Sequence, residues 1–365
     1  MTAVVSADVV VLGLGIHGMS TVASLARRGV RVVGIDRFPA GHARGSSHGR
    51  TRMIRRAYPN PVWNPLVEKA FDAWEGLERA SGETLIHRTG GMYAHEGASQ
   101  LQGPDCILVE DRGEMASLMP SFVVPDGYRA VYDPSAGVVE AERALVALRT
   151  LAVAAGADVR DTEQVLGWDS ASGGVQVRTD RGVVRAERLV VAGGSWAGRL
   201  LPQLSDLLEV WRILTVTVRA GQSAGIPPAL GAFSVDRLEG LVFGIPDADG
   251  NGVKLGVDAG EVWDPETPVA APTPAEVDAL RDLLHAYVPA LDTAPVEAAA
   301  CLYTMTEDKR FVIGPLADSP EVIAVSACSG HGFKFGPAIG DAVADLCEGV
   351  ERPDLDFIST ARRGI

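Results

Sequence analysis

Lys254 and Lys334 are two of only four lysines in a chain of 365 residues whose Lys and Arg total 33; Lys69 and Lys309 are the others. Where arginine supplies nearly all the positive charge, a retained lysine is a candidate for work that needs a compact ammonium rather than a planar fork. Lys254 sits in Gly252-Val-Lys-Leu-Gly-Val-Asp258, and Lys334 in Ser329-Gly-His-Gly-Phe-Lys-Phe335. A third stretch, Gly45-Ser-Ser-His-Gly-Arg-Thr-Arg-Met-Ile-Arg-Arg-Ala-Tyr58, sets Arg50, Arg52, Arg55 and Arg56 behind a small, flexible start. A fixed ammonium stabilises negative charge that develops during a reaction, and an arginine fork holds a carboxylate through two hydrogen bonds. Each feature also has a plainer reading. A lysine on a strand usually faces solvent, and an arginine-rich loop is usually a solvated patch.

The elements that would position these residues begin at the N-terminus. Asp8 to Leu12 is a short apolar run, as expected for a strand buried on both faces. It leads into Gly13-Leu-Gly15-Ile-His-Gly18, then a helical pattern over Met19 to Arg28, then Val30 to Ile35 ending at Asp36. Strand, glycine turn, helix, strand and acid in this order are a dinucleotide-binding fingerprint. Gly13 permits the tight turn, Gly15 lets backbone approach a pyrophosphate, and Gly18 lets helix pack on strand. The helix N-terminus then offers unpaired N–H groups to phosphate, and Asp36 is placed to accept from ribose hydroxyls. The motif itself does not choose between NAD and FAD. Its place at the start of the chain leans toward FAD by analogy.

Taken together, Gly45-Ser-Ser-His-Gly-x-Thr-Arg-x-Ile-Arg, Gly252-Val-Lys-Leu-Gly256, Cys301-Leu-Tyr-Thr304 and Ser329 to Phe335 resemble the monomeric sarcosine oxidase family. That family includes N-methyltryptophan and pipecolate oxidases within the wider glycine/D-amino-acid oxidase group. The resemblance runs from residue 8 to about 345. It implies FAD, tethered covalently to Cys301 through its 8α-methyl group, although Cys301 alone would pass as a buried thiol. It implies that Lys254 is the cation beside the flavin where molecular oxygen is reduced. Arg55 and Lys334 match the pair that holds the substrate carboxylate. His48, Thr51 and Arg52 match positions near the flavin, and Arg37, Ser46, Val165, Gly330, Gly332, Phe333 and Lys334 are further expected cofactor-binding residues. The helix beginning near Pro337 would direct its positive end at the same ring system.

Two positions on the substrate side depart from the family pattern: Phe243 stands where a tyrosine is usual, and Asp258 where a histidine is usual. Strict alternation puts Lys254, Gly256 and Asp258 on one strand face and Val253, Leu255 and Val257 on the other. Asp258 would pair with Lys254, attract a second cationic group of a substrate, or be solvated. Gly252 and Gly256 would leave room for the ring system. If the Arg52 to Arg55 stretch is helical, the two arginines share a face.

The expected fold class is α/β: a discontinuous Rossmann-type FAD domain (1–86, 140–208 and 308–365) with a second, antiparallel-sheet substrate domain (87–139 and 209–307). A helix is expected from Glu140 to Ala155, and strands near Val165, Val175 and Leu189 to Ala192. Gly193-Gly194 reads as a second turn near the flavin. Leu241 to Ile245 and Gly252 to Asp258 form a hairpin through an Asp247 to Gly252 turn, and a surface helix runs from Pro274 to Ala286. The formal net charge of −14 with no basic run argues against nucleic acid or an anionic membrane as partner. Cys106, Cys301, Cys328 and Cys347 read as free thiols in a reducing compartment. No signal sequence or membrane span is evident, so a cytoplasmic monomer is expected. His331 has no second ligand pair nearby, so no metal site is assigned.

The expected reaction is oxidation of a secondary amino acid, N-methylated or cyclic, to an imine, with oxygen reduced to hydrogen peroxide. The alternative is a biosynthetic flavoenzyme acting on a cyclic amine or imine, in one or two two-electron steps. A dehydrogenase with a protein electron acceptor is disfavoured by Lys254. A non-catalytic dinucleotide-binding module would need none of Lys254, Arg55 and Lys334.

Overall fold

Strand Val9–Leu12 is buried at every residue, and its alternation sends side chains into two different cores. Val9 and Val11 pack against helices, whereas Val10 and Leu12 pack against a second sheet. A strand sandwiched in this way has no solvent face, hence its unbroken apolar run. The computed structural model describes residues 4–97, 101–219, 230–247, 252–291 and 295–365.

Val9–Leu12 lies in a six-stranded sheet ordered Asp158–Arg160, Val32–Ile35, Val9–Leu12, Arg188–Val191, Ser319–Ser326, Val312–Leu316. The first five strands are parallel, and the last pairs antiparallel with its neighbour. Helix Ile16–Arg27 crosses over from Val9–Leu12 to Val32–Ile35, and it packs beside Gly336–Cys347 and Ala141–Ala154. A four-stranded sheet, including Val165–Ala171 and Gly174–Thr179, covers the opposite face. Gly13 has φ +88°, a backbone state that glycine adopts without strain. A Cβ at Gly18 would fall 1.8 Å from the Gly13 carbonyl oxygen, so the helix can approach the turn this closely only with glycine there.

The second large layer is a nine-stranded sheet built from two distant parts of the chain, 91–133 and 209–305. The sequence predicts an antiparallel sheet here, and one pair departs from that. Ala232–Val235 runs parallel to Gly91–Glu96. These two strands meet edge to edge without a hairpin between them, so no turn forces antiparallel pairing. Leu241–Pro246 and Gly252–Asp258 are antiparallel neighbours, as expected; residues 248–251 of their predicted turn lie outside the described residues. The surface helix spans Pro274–Tyr287, with Pro274 in its first turn and a Thr273/Glu276 capping box. Its Leu280, Leu284 and Tyr287 pack on the sheet.

A three-stranded sheet, ordered Thr51–Ile54, Gly137–Glu140, Ile86–Arg88, joins these layers. The shared helical face expected for Arg52 and Arg55 is therefore corrected. Thr51–Ile54 pairs residue by residue with Gly137–Glu140, and β-branched Thr51 and Ile54 suit that pleat. Arg55 follows the strand's end. No described helix is long and apolar enough to cross a membrane.

Candidate active site

A cavity of about 1720 Å³ runs from the glycine turn to the strand carrying Lys254. Ordinary small-molecule pockets hold roughly 300–1,000 Å³, so this one has room for more than a small substrate. At its first end the walls are mostly backbone. Gly15 is the N-cap of helix Ile16–Arg27 and has no side chain to occupy the helix N-terminus. A Cβ there would meet the Ser47 hydroxyl at 3.0 Å, and that hydroxyl accepts from the Ile16 N–H at 3.0 Å. Asp36 accepts from the Leu14 N–H at 2.7 Å and the Phe38 N–H at 2.8 Å. Its carboxylate is thereby oriented by the turn it borders, with lone pairs remaining for a ligand. The adjacent Arg37 is paired with Glu266 at 2.9 Å. Val165 and the Gly193-Gly194 turn complete this end, the latter opening a short 3₁₀ turn, Gly194–Trp196.

At the other end the walls are charged side chains drawn from separate elements. Lys254, on the sheet, donates to the Thr51 carbonyl, which also accepts from Arg52 Nη1 at 2.8 Å. Arg52 Nη2 donates to the carbonyls of Ser46 (2.8 Å) and His48 (2.6 Å), so one guanidinium fastens the 46–51 loop. That guanidinium also lies 5.3 Å from the centre of the Phe333 ring. The Ser46 hydroxyl donates to the Leu302 carbonyl, next to Cys301. Lys334 is buried and donates to the His331 carbonyl at 2.7 Å. Arg55 lies over two rings, 4.8 Å from Tyr93 and 5.4 Å from Tyr58.

Among the described residues, no carboxylate forms an ion pair with Lys254, Lys334, Arg52 or Arg55, whereas Lys69 pairs with Asp354 (2.8 Å) and Lys309 with Asp258 (3.0 Å). Uncompensated buried cations are unfavourable, so burial favours the neutral form of each lysine. Burial, with Arg52 second, pushes Lys254 down to about 7. Burial, with Arg55 second, pushes Lys334 well below the usual lysine range. His48 is pushed down to about 4 by burial, then by Arg52 and Lys254, and its buried Nε2 has no hydrogen-bond partner. Burial raises the Cys301 thiol, while Arg52 and Lys254 pull the other way. Such a cluster is poised for an anionic or electron-rich ligand.

Every sequence-predicted site residue lines this cavity except Gly18, whose place is the helix–turn contact. Two details differ from expectation. The space beside Gly256 is taken by the Phe243 ring, which a Cβ would meet at 2.6 Å, and Gly252 faces Asp247; neither glycine leaves room for a ligand ring. Asp258 pairs with Lys309 rather than Lys254, because four residues along a strand separate the side chains by roughly 13 Å. Its other oxygen, Oδ1, is buried without a partner. Sequence reasoning gave no role to Tyr58, Tyr93 or Tyr303, which also line the cavity. Tyr303 was within reach, since strand alternation puts it on the face of Cys301. Tyr58 carried no such signal, because its partner Lys334 is 276 residues away.

A FAD cofactor fits the residues present: a glycine cradle that a Cβ would fill, an open helix N-terminus, an orphaned buried His48 nitrogen, and cations at the far end. The FAD dependent oxidoreductase family model matches residues 8–346. The chain is 30% identical to the monomeric sarcosine oxidase of Bacillus sp. (strain B-0618), over 97% of this chain and 96% of that protein. It is 32% identical to that of Streptomyces avermitilis, over 93% of each. Among solved structures, NikD, an unusual amino acid oxidase essential for nikkomycin biosynthesis, superposes with a TM-score of 0.84 at 25% identity, over 97% of both chains.

Proposed function

The chain belongs to the FAD dependent oxidoreductase family, and from that premise we propose that it oxidises a secondary amino acid, N-methylated or cyclic, at its C–N bond. The product is an imine, and oxygen becomes hydrogen peroxide. The observation that carries this reading is the set of four cations, with no carboxylate partner among the described residues, around one cavity end. Arg55 and Lys334 bind and orient the substrate carboxylate, fork and point charge together. Lys254 provides the fixed positive charge where oxygen acquires electrons. Arg52, Ser46, His48 and Thr51 hold the loop that carries this charge cluster. The amine reacts as the free base, so a neutral His48 and a cationic surround favour its deprotonated form.

When bound, FAD supplies the two-electron acceptor for the amine and the donor for oxygen. Gly13, Gly15 and Asp36 would hold its dinucleotide end, with Arg37 and Val165 bordering it. Gly330, Gly332, Phe333 and Lys334 would border its ring system, and Cys301 would retain it covalently. What supports the last assignment is that Cys301 lines the cavity and its thiol feels the charges of Arg52 and Lys254. The division into a FAD part (1–86, 140–208, 308–365) and a substrate part (87–139, 209–307) belongs to the same reading, as does a cytoplasmic monomer.

A second reading, a biosynthetic oxidase of a cyclic amine or imine, is favoured by Phe243 and by the Asp258 oxygen left unpaired near Gly330. Peroxide release across sarcosine, other N-methyl amino acids, proline, pipecolate and cyclic imines tests both. Peroxide from none of them sinks the oxidase reading, and turnover of cyclic imines alone selects the second. For the tether, flavin should stay with the acid-precipitated chain and be released from Cys301→Ser; free flavin from the wild type removes that assignment.

A further inference from the structure

Lys334 donates to the Tyr58 hydroxyl at 3.2 Å as well as to the His331 carbonyl at 2.7 Å. Tyr58 Oη also contacts His331 Nδ1 at 3.2 Å, and His331 Nε2 contacts the Lys309 carbonyl oxygen at 2.9 Å. Only one proton arrangement gives each contact a donor. The Lys309 carbonyl can only accept, so Nε2 carries the imidazole proton and Nδ1 is bare. Tyr58 must therefore donate to Nδ1, which leaves its oxygen to accept from Lys334. The ring cannot reverse this order by taking a second proton. His331 stacks on Phe311 at 4.7 Å and meets Trp63 edge-on at 5.1 Å, and burial pushes it down to about 3.

Tyr58 has a second task in the same place. Arg55 lies over its ring at 5.4 Å and Lys334 Nζ lies 5.6 Å from the ring centre. An aromatic face attracts the guanidinium, while the hydroxyl at the ring's edge accepts from the ammonium, so one side chain holds two like charges that would otherwise repel. Backbone support comes from Trp74, whose indole N–H donates to the Lys334 carbonyl at 2.7 Å. Of three ammonium donors on Lys334, two are committed, and the third has no partner among the described residues.

We infer that Tyr58 and His331 are the positioning residues of the carboxylate-binding pair. A one-directional hydrogen-bond chain, Lys334 to Tyr58 to His331 to the Lys309 carbonyl, holds the ammonium with one donor left for the substrate carboxylate. This rests on the assignment of Arg55 and Lys334 to that carboxylate. Neither residue touches the reacting atoms; each acts through Lys334.

The test uses the flavin-loaded enzyme, with benzoate and benzamide as probes read by the change in flavin absorbance. Tyr58→Phe keeps the ring and removes the hydroxyl; His331→Phe keeps the stacking and removes the relay. Melting temperature and flavin content report on folding. The wild type should bind benzoate at least tenfold more tightly than benzamide. Each variant should loosen benzoate by about tenfold, the scale of one charged hydrogen bond, and leave benzamide unchanged. The double variant should lose no more than either single one, because both break the same chain. With a turned-over amine, KM should rise while kcat is kept. Equal loosening of both probes, additive losses, or unchanged benzoate binding while Lys334→Met abolishes it would each overturn the inference alone. If the wild type does not distinguish the probes, or Lys334→Met leaves benzoate binding intact, the carboxylate assignment falls and takes the inference with it.

Discussion

The two ends of the cavity are built on opposite principles. The centre of the cradle end comes from one contiguous stretch, Gly13 to Asp36, where glycine makes main-chain groups accessible, and Ser47, Val165 and the Gly193-Gly194 turn complete it. The charged end draws Arg52 from strand Thr51–Ile54 and Arg55 from just past its end, Lys254 from the large sheet, Cys301 and Tyr303 from another strand of that sheet, and Lys334 from just before helix Gly336–Cys347. Shape complementarity needs only backbone and tolerates little substitution. A cluster of uncompensated cations needs a scaffold that forces like charges together, because nothing in the free protein rewards their approach. Binding and chemistry are therefore supported by different physical terms, and they should fail differently.

The largest expected effect lies at the charged end. Lys254→Met should leave anaerobic reduction of the loaded enzyme by a good amine within a few-fold, while reoxidation by oxygen slows about a thousandfold, roughly 4 kcal/mol. Stopped-flow traces showing unchanged reoxidation would remove Lys254 from oxygen activation and blur the contrast between the two ends. Next comes the cradle. Gly18→Ala forces a Cβ against the Gly13 carbonyl, and about 2–3 kcal/mol should be lost in urea denaturation of the cofactor-free protein. Gly15→Ala meets only a movable hydroxyl, and it should cost less than about 1 kcal/mol while weakening FAD uptake. Equal stability losses at both positions would mean that the cradle is not shaped for a ligand.

The third expectation concerns pH. Lys254 titrates near 7 in the folded chain and near 10.5 when unfolded. Between those values the unfolded chain binds the extra proton, so stability rises with pH, by at most about 1.4 kcal/mol per pH unit for one group. Lys334 adds in the same direction. Below pH 7 the full penalty of the buried charge is present. Cofactor-free Lys254→Met should therefore be more stable than the wild type at pH 6, with the difference shrinking toward pH 10. A difference independent of pH would show that Lys254 is solvated. The smallest effect is at Asp258. Asp258→His should shift kcat/KM by a few-fold toward small N-methyl amino acids, and an unchanged amine panel would take Asp258 out of specificity.

Much of the first end could be read directly from residue order, because its parts are neighbours in sequence and its geometry follows from glycine and alternation. The Leu241–Pro246 and Gly252–Asp258 pair and the Pro274–Tyr287 helix were legible for the same reason: their pairing and capping partners lie within 17 positions. What was misread depended on partners far away. Arg52 and Arg55 lost their helical face to strand pairing, Arg52 opposite Val139, 87 residues downstream. The space at Gly256 went to Phe243 across the hairpin, and Asp258 found Lys309, 51 residues on.

Sequence alone determined that this chain carries a dinucleotide fingerprint, that its lysines are scarce, and that four separated segments resemble one flavoenzyme family. Local patterns suffice there, since main-chain geometry is set by near neighbours. Tertiary structure alone decided which lysines are which. Lys69 and Lys309 pair with carboxylates at 2.8 and 3.0 Å, while Lys254 and Lys334 face the cavity among other cations. It also decided that Lys334 is held by Tyr58 and His331. The reason is physical. A side chain's charge state and spare hydrogen-bond donors depend on what surrounds it in space, and those surroundings come from parts of the chain hundreds of residues apart.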